Sequence, residues 1–258
     1  MEADSPIILI KIGGSTLGSE DTSFGDVAAL QRQGARPVIV HGGGPAITSW
    51  MAKLGLRAEF VRGLRVTDGP SLEVATAVLA GLINKSLVSE LRSAGVNAVG
   101  VSGADGGLLR GRITDPELGF VAGELKADAS LIERLADAGY VPVVSPIAAS
   151  VDDPGQLLNV NADSAAGALA VALGARSLVF LTDVDGILNA DGRLIRRVPL
   201  ATGDELLHSG VVKGGMMPKL EACILAAKAG VLAGIINGTQ AGALPSWLEG
   251  SLPGTAVV

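Results

Sequence analysis

Short apolar runs alternate with amphipathic segments along most of the chain. The strongest strand predictions are Ile7–Ile12 and Ser177–Thr182, whose residues are nearly all apolar. Further strands are predicted at 37–40, 96–101, 140–145, 231–237 and 255–258. Helices are predicted at 21–34, 45–54, 70–94, 129–138, 164–173 and 217–229. Near-continuous apolar strands separated by helices are typical of a mostly parallel sheet covered on both faces, so the pattern predicts an α/β fold.

Two stretches interrupt this alternation and have the character of hairpins. One is 109–121, which contains Gly111, and the other is 147–158, which contains Asp153-Pro154-Gly155. A softer boundary lies near Gly174, after which acidic and glycine-rich turns cluster. We therefore predict two lobes, residues 1–174 and residues 175–258.

Composition narrows the class of protein. The 258 residues are 48% hydrophobic and 18% charged, with mean hydropathy +0.46, which is enough for a sizeable core. No uninterrupted apolar run approaches the roughly 18 to 20 residues of a membrane span, so no membrane partner is expected. A net charge of −6 argues against nucleic acid as a partner. Cys223 stands alone, which excludes a disulfide framework or zinc spacing and favours a reducing cytoplasm.

The junction 159–163, Asn-Val-Asn-Ala-Asp, is the most informative stretch of the chain. It closes a strand-like run and opens a helix of small residues. An Asp or Asn cap is the ordinary explanation for such a junction. Two amides and a carboxylate exceed what a cap needs, and other loops carry the further parts of a phosphoryl-transfer site.

Two glycine-rich loops supply such parts. Lys11 lies in an apolar strand, where its ammonium needs an anionic partner, and Gly13-Gly14 follows it with accessible backbone amides. His41-Gly42-Gly43-Gly44-Pro45 joins a strand to a helix start, which is an anion-binding arrangement. The chain contains neither GxGxxG nor GxxxxGK[ST], so a dinucleotide fold and a P-loop both lose support.

Three charged loops complete the set. Arg65 is a candidate bidentate carboxylate clamp, whereas Arg62 is interpreted as a surface residue. Asp183 follows a strong strand, where α/β sheets place their ligands. Lys219 lies in the second or third position of a helix, where a cation opposes the helix dipole unless a phosphate lies nearby. The two histidines, at positions 41 and 208, have no partner pattern for catalysis or a metal, and we interpret both as supporting residues.

The segments KIGG, HGGGP, GLRVTD, NVNAD, LTDVDGIL and GGMMPKLEA occur in this order along almost the whole chain. As a set they resemble the amino acid kinase family, and within it the branch that phosphorylates N-acetyl-L-glutamate. The resemblance implies a three-layer αβα sandwich whose lobe 1–174 binds the acyl-amino acid and forms a homodimer, while lobe 175–258 holds ATP. It further implies transfer of the ATP γ-phosphoryl group to the γ-carboxylate of N-acetyl-L-glutamate in cytoplasmic arginine biosynthesis, with Mg²⁺ carried by ATP.

The resemblance also assigns residue roles. Lys11 and Lys219 would neutralise charge on the transferring group, and Asp163 would hold both ammonium groups. The substrate-binding set would be Gly43, Gly44, Arg65, Asn159 and Asn161. The nucleotide-binding set would be Gly13, Gly14, Thr182, Asp183, Gly186, Ile187, Leu188, Gly214, Gly215 and Met216.

Two departures from the family bear on assembly and on the nucleotide site. Arginine-inhibited members carry an additional N-terminal helix that links dimers into a hexamer. Because only about six residues precede the first strand here, we expect a dimer without arginine feedback. Lys213 replaces a smaller or acidic residue of many relatives, and we interpret it as surface charge.

Three other functions remain open at this point. A kinase for carrier-protein-linked aminoadipate or glutamate in lysine biosynthesis is the nearest, although that branch tends to replace the asparagines of NVNAD. A non-catalytic regulator that binds nucleotide or amino acid is the second, although Lys11, Asp163 and Lys219 are all present. A nicotinamide-dependent oxidoreductase is a distant third, because the chain lacks the glycine fingerprint.

Overall fold

The computed structural model describes residues 5–13 and 23–258, so the predicted site residue Gly14 lies outside the described part. The strands are β1 (Ile7–Ile12), β2 (Arg36–His41), β3 (Phe60–Val61), β4 (Leu64–Arg65), β5 (Ala98–Ser102), β6 (Leu109–Arg112), β7 (Glu124–Ala127), β8 (Val141–Ser145), β9 (Ile147–Ser150), β10 (Leu157–Asn159), β11 (Ser177–Thr182), β12 (Arg197–Val198), β13 (Leu232–Asn237) and β14 (Thr255–Val257). The α-helices are α1 (Ser23–Arg32), α2 (Gly44–Lys53), α3 (Gly69–Thr76), α4 (Asn84–Ser93), α5 (Ser130–Asp137), α6 (Ala162–Ala172), α7 (Leu200–His208), α8 (Met216–Lys228) and α9 (Ala243–Leu248).

A main sheet with the strand order β12-β14-β13-β11-β1-β2-β8-β5 forms the centre of the described residues. The pairs from β13 to β5 are parallel, whereas β14 runs antiparallel to β13. The central pair is β1 with β11, in which Lys11 lies opposite Phe180. The sheet therefore runs through both predicted lobes, and the boundary near Gly174 stays a prediction.

Alternate residues of the central strands are buried against helices on opposite faces of the sheet. Leu9 and Phe180 belong to one core cluster, together with apolar residues of α6 and α8. Ile8, Ile10 and Val179 belong to the other cluster, with residues of α1, α2 and α4. Because side chains along a strand alternate between faces, this double burial produces three layers, and the predicted αβα sandwich is confirmed.

A smaller sheet, ordered β10-β9-β6-β7, and the two-stranded hairpin β3–β4 lie outside the main sheet. The antiparallel pair β9–β10 confirms the predicted hairpin at 147–158, and its turn uses Gly155 at φ 96°. The predicted hairpin at 109–121 is wrong in its extent. The return strand β7 begins at Glu124, because a 3₁₀ turn capped by the Asp115 carboxylate occupies Pro116–Leu118.

The long helix predicted at 70–94 is observed as one continuous helix, Gly69–Ser93, interrupted by a π-helical segment, Ala77–Ile83. By length and composition alone this helix could cross a membrane, with a mean hydropathy of 1.3. However, Leu79, Leu87 and Leu91 are buried in the second core cluster. The apolar face is thus used inside the protein, as in a core helix.

Helices α7 and α9 were not predicted from the sequence. The six-residue helix α9 is too short to show a clear helical period, and it carries a proline. It is held by Trp247, whose indole N–H donates to Ser177 Oγ at 2.9 Å. The ring covers Gly234, where a Cβ atom would lie 2.0 Å from Trp247 Cη2. Tertiary packing therefore decides this helix.

Candidate active site

The carboxyl ends of the parallel strands β1, β2 and β11 meet at one edge of the main sheet. Lys11 lies near the end of β1, the glycine turn 42–44 follows β2, and Thr182 ends β11. Ligands of open α/β sheets bind at this edge. Strand order therefore brings together loops that are far apart in the sequence.

A carboxylate bridges two lysines at this edge. Lys11 Nζ lies 2.7 Å from Asp163 Oδ1, and Lys219 Nζ lies 3.1 Å from Asp163 Oδ2. The three side chains are 6%, 15% and 7% exposed for Lys11, Lys219 and Asp163, respectively. Lys219 also donates to the carbonyl of Gly215 at 3.0 Å. The predicted pairing of Asp163 with both lysines is present in the structure.

Burial and charge act against each other at Lys11. Burial lowers the pKa of Lys11, and the nearby Lys219 ammonium lowers it further. The Asp163 carboxylate opposes both effects and favours the charged form. The carboxylate therefore holds together two cations that would otherwise repel each other.

The helix that carries Asp163 begins earlier than predicted, at Ala162 and not at Ser164. Its cap is Asn161, whose side-chain oxygen accepts from the backbone N–H groups of Asp163 at 2.8 Å and Ser164 at 3.2 Å. The expected Asp or Asn cap is therefore Asn161, and Asp163 has no cap role. Because Asn161 satisfies the helix end, the Asp163 carboxylate is left for the lysines.

Lys219 is the fourth residue of α8, and not the second or third as predicted, because the helix begins at Met216. The preceding turn contains Gly214 in the left-handed region, at φ 57°. This turn lets the chain enter α8 so that Lys219 reaches back to Asp163.

A cavity of about 230 Å³ adjoins Lys11 and Asp163. It brings together all five predicted substrate-binding residues with a wall of apolar side chains. The lining residues include Gly43, Gly44, Ile47, Phe60, Leu64, Arg65, Leu79, Val121, Pro146, Asn159 and Asn161. The apolar members were missed in the sequence, because apolar residues in a pocket and in a core have the same pattern.

Arg65 is held in place at the wall of this cavity. Its guanidinium donates to the Gly44 carbonyl at 2.9 Å and to Thr48 Oγ1 at 2.8 Å. It also lies over the Phe60 ring, 4.8 Å from the centroid. Burial lowers the pKa of Arg65. Arg62, in contrast, pairs with Asp115 and Glu117 and is 61% exposed, in keeping with its interpretation as a surface residue.

The amide of Asn159 is oriented by a neighbouring loop. Its Nδ2 atom donates to Thr67 Oγ1 at 3.1 Å, and the Thr67 hydroxyl donates to the Arg65 carbonyl at 3.1 Å. The two segments that carry Arg65 and Asn159 are therefore linked by hydrogen bonds at the cavity.

Apart from Gly13, which directly follows β1, and Gly14, the predicted nucleotide residues divide into two groups. Gly214, Gly215 and Met216 begin α8 and lie next to the lysine pair through the contact of Lys219 with Gly215. Thr182 ends β11, and the exposed Asp183 follows it.

The remainder of that loop is fixed to the core. Gly186 has φ 142°, and a Cβ atom there would lie 2.6 Å from Thr255 Oγ1. The N–H of Ile187 donates to the same hydroxyl at 2.8 Å, and the Ile187 side chain is buried in the first core cluster. Leu188 and Lys213 are exposed. Ile187 is thus held inside the protein, because its carbonyl also accepts from the backbone N–H of Ile195 at 2.8 Å.

Neither a reactive thiol nor a metal-binding cluster is found in residues 5–13 and 23–258. Cys223 is fully buried, and burial raises the pKa of its thiol, which makes it a core residue. Over residues 5–13 and 23–258, no three His, Cys, Asp or Glu side chains form a group that could hold a metal ion.

Known proteins resemble this chain in sequence and in fold. The family model described as "Amino acid kinase family" matches residues 6–237. The acetylglutamate kinase of Methanopyrus kandleri is 46% identical over 260 residues, covering 97% of this chain and 98% of the relative. The acetylglutamate kinase of Dehalococcoides mccartyi is 42% identical over 241 residues, covering 92% and 89%. Among solved structures, smu.665 from Streptococcus mutans UA159 has a TM-score of 0.84 at 29% identity, covering 98% of each chain.

Proposed function

The chain belongs to the amino acid kinase family, and we propose that it transfers the γ-phosphoryl group of ATP to the γ-carboxylate of N-acetyl-L-glutamate, a step of arginine biosynthesis. The observation that carries the proposal is the buried Asp163 carboxylate between Lys11 and Lys219, beside a cavity with its own polar anchors.

The chemistry requires alignment and charge stabilisation. The attacking carboxylate is already ionised at neutral pH, so no general base is needed. Charge spreads over the phosphoryl oxygens in the transition state, and fixed cations lower its energy. An ammonium has three donors, so Lys11 and Lys219 each retain donors for these oxygens while Asp163 fixes their positions. The amides of Gly43 and Gly44, at the start of α2, add a preorganised anion site.

The side chains that line the cavity are suited to binding the acyl-amino acid. Arg65 supplies a guanidinium for the α-carboxylate, and Asn159 supplies an amide for the acetamido group. Asn161 caps α6 and borders the same space. Apolar side chains such as Ile47 and Leu79 form a wall on which the acetyl methyl group and the carbon chain can pack.

The nucleotide is assigned to the C-terminal lobe, residues 175–258. Residues 182–188 and 214–216, with Gly13 and Gly14, would line its site. Mg²⁺ would arrive with ATP as part of the substrate. Support comes from the position of Gly215, whose carbonyl contacts Lys219.

The N-terminal lobe, residues 1–174, is assigned acyl-amino acid binding and homodimer formation in the cytoplasm. Support for a dimer comes from large apolar side chains on α2 and the helix 69–93. Trp50, Leu54 and Leu82 are 38%, 60% and 51% exposed. The two helices pack against each other, and exposed apolar side chains on neighbouring elements are candidates for a protein–protein interface. Sedimentation at several concentrations tests the assignment.

The activity is tested by a coupled ADP-release assay, with the acyl phosphate trapped by hydroxylamine. N-acetyl-L-glutamate is compared with glutamate, aspartate and carrier-linked aminoadipate or glutamate. We expect turnover with N-acetyl-L-glutamate to exceed that with every other acid. A better carrier-linked substrate would overturn the choice of substrate, and ATP binding without turnover of any acid would indicate a regulator.

A further inference from the structure

Two buried polar residues, His41 and Asn84, lie next to the glycine turn 42–44. His41 ends β2, and Asn84 begins α4 directly after the π-helical segment. Both residues have 0% exposure. Burying polar groups at an otherwise apolar helix–sheet contact costs free energy unless they are hydrogen-bonded.

The contacts specify the tautomer of His41. Its Nδ1 atom lies 2.9 Å from the carbonyl oxygen of Gly42, which can only accept, so Nδ1 carries the proton. Its Nε2 atom lies 3.3 Å from Asn84 Nδ2, which can only donate, so Nε2 is the acceptor. Burial lowers the pKa of His41 to about 4, and the nearby Lys11 and Lys85 ammonium groups also lower it. The ring is therefore neutral, with one defined tautomer.

Asn84 is itself anchored on both sides of its amide. Nδ2 donates to the Val143 carbonyl of β8 at 2.9 Å, and Oδ1 accepts from Lys85 Nζ at 3.0 Å. A Cβ atom on Gly100 would lie 1.9 Å from Asn84 Oδ1, so β5 leaves room for the amide only because this residue is glycine. The amide therefore cannot rotate freely, and it can hold the His41 ring.

The π-helical segment sets the direction of Asn84 and also touches the glycine turn. One residue more or less in a helix turns the following side chains by about 100°. Side chains of Leu79 and Ile83, in the same segment, occupy the space where a Cβ atom of Gly43 would lie. Wide π-helical turns inside α-helices are frequent at functional sites.

From this geometry we infer that Asn84 and His41 are positioning residues for phosphoryl transfer, acting through the Gly42–Gly43 peptide; the inference rests on the proposed function. The peptide group is planar and trans. A hydrogen bond from His41 to the Gly42 carbonyl therefore also sets the direction of the Gly43 N–H, which belongs to the same peptide plane and points the opposite way. Asn84 maintains this bond, because its amide N–H requires an unprotonated Nε2.

The test replaces the donor by an acceptor of the same shape. In Asn84→Asp, the carboxylate needs a proton on Nε2, so the ring must become cationic or change tautomer. The matched control is Asn97→Asp. Asn97 precedes β5, away from the site, and its exposed amide donates to the Gly139 carbonyl. We expect kcat/KM for N-acetyl-L-glutamate to fall about 10- to 100-fold in Asn84→Asp, as for other residues that orient a reacting group. The KM for ATP and the activity of the control should change by less than about twofold.

The ring state is measured directly by ¹⁵N NMR of labelled histidine. The chain has two histidines, so a His208→Gln variant assigns the signals. We expect a neutral ring protonated at Nδ1 in the wild type and a proton on Nε2 in Asn84→Asp. A wild-type ring protonated at Nε2, or an Asn84→Asp enzyme as active as its control, would overturn the inference. The NMR result does not depend on activity, so failure of the proposed function is recognised separately by an inactive wild type.

If Asn84→Asp does not fold, a second pair of variants decides. His41→Gln supplies a carboxamide that can both donate and accept, whereas His41→Leu can do neither. A positioning role predicts that His41→Gln retains about tenfold more kcat/KM than His41→Leu. Equal activities of the two variants would contradict it.

Discussion

The ammonium group of Lys11 lies 2.7 Å from the carboxylate of Asp163, and both side chains are almost completely buried. One comes from the central strand of the sheet and the other from the first turn of α6. A buried ion pair contributes little net stability after the cost of desolvation. Its value here is the fixed position of two cations around one carboxylate.

The first prediction concerns Lys219. Removing its ammonium in Lys219→Ala should lower kcat about 10²- to 10³-fold, because one preorganised charge-stabilising donor is lost. The control is Lys228→Ala, at the other end of the same helix, which removes an exposed pair with Asp204. Steady-state kinetics at saturating ATP should show a change of less than about twofold for the control.

The second prediction concerns the stability contributed by Asp163. Asp163→Asn leaves the buried Lys11 without its counter-ion, so the free energy of unfolding should fall by about 3 kcal/mol, together with a loss of activity. Asp204→Asn breaks the exposed pair with Lys228, and should cost less than about 1 kcal/mol. Urea denaturation at pH 7 measures both values. If Asp163→Asn were as stable as the wild type, the prediction would be wrong, and another group or loss of its proton would have to compensate the charge of Lys11.

The third prediction concerns pH. Burial lowers the pKa of His41 from its ordinary 6.5 to about 4, so the unfolded chain binds a proton there more readily than the folded one. The stability from the neutral ring is present above pH 6.5, and it is lost as the pH falls from about 6.5 to 4. The loss amounts to about 3 kcal/mol.

Urea denaturation across this pH range separates that effect from the carboxylates. His41→Gln should have a shallower decline of unfolding free energy with falling pH than the wild type. His208→Gln, which removes an exposed histidine, is the matched control. Equal slopes in all three proteins would contradict the prediction.

The fourth prediction concerns Gly43. A Cβ atom there would lie 2.3 Å from Ile83 Cδ1 and 2.7 Å from Leu79 Cδ2. Gly43→Ala should therefore destabilise the protein by about 1 to 3 kcal/mol and raise the KM for the acyl-amino acid, because the helix and the turn must separate. Adding Ile83→Val, which removes the Cδ1 atom, should restore part of both losses.

The control for this substitution is Gly25→Ala. Gly25 lies on an exposed part of α1, and no heavy atom of residues 5–13 and 23–258 would lie within 4 Å of a Cβ atom there. This change should stabilise the protein by about 0.5 to 1 kcal/mol, because alanine is the better helix former. Thermal unfolding of both variants should thus shift in opposite directions.

The layers of the fold and the locations of the site loops could be predicted from the amino-acid sequence alone. Buried parallel strands are apolar throughout, so β1 and β11 were predicted with their observed bounds. Lys11 and the glycine turns could be recognised in the sequence, because a lysine in an apolar strand and successive glycines each depart from the local pattern. Where a helix is short, as in α9, local pattern carried no such signal.

Tertiary structure decided which of these residues act together. Whether Asp163 caps its own helix or binds two lysines depended on Asn161, which takes the cap, and on α8, which carries Lys219 to the carboxylate. The link from Asn84 to His41 depended on a π-helical turn and on the order of the strands. A hydrogen bond or an ion pair is decided within a few tenths of an ångström, and only the packing of helices against the sheet sets distances between distant segments to that precision.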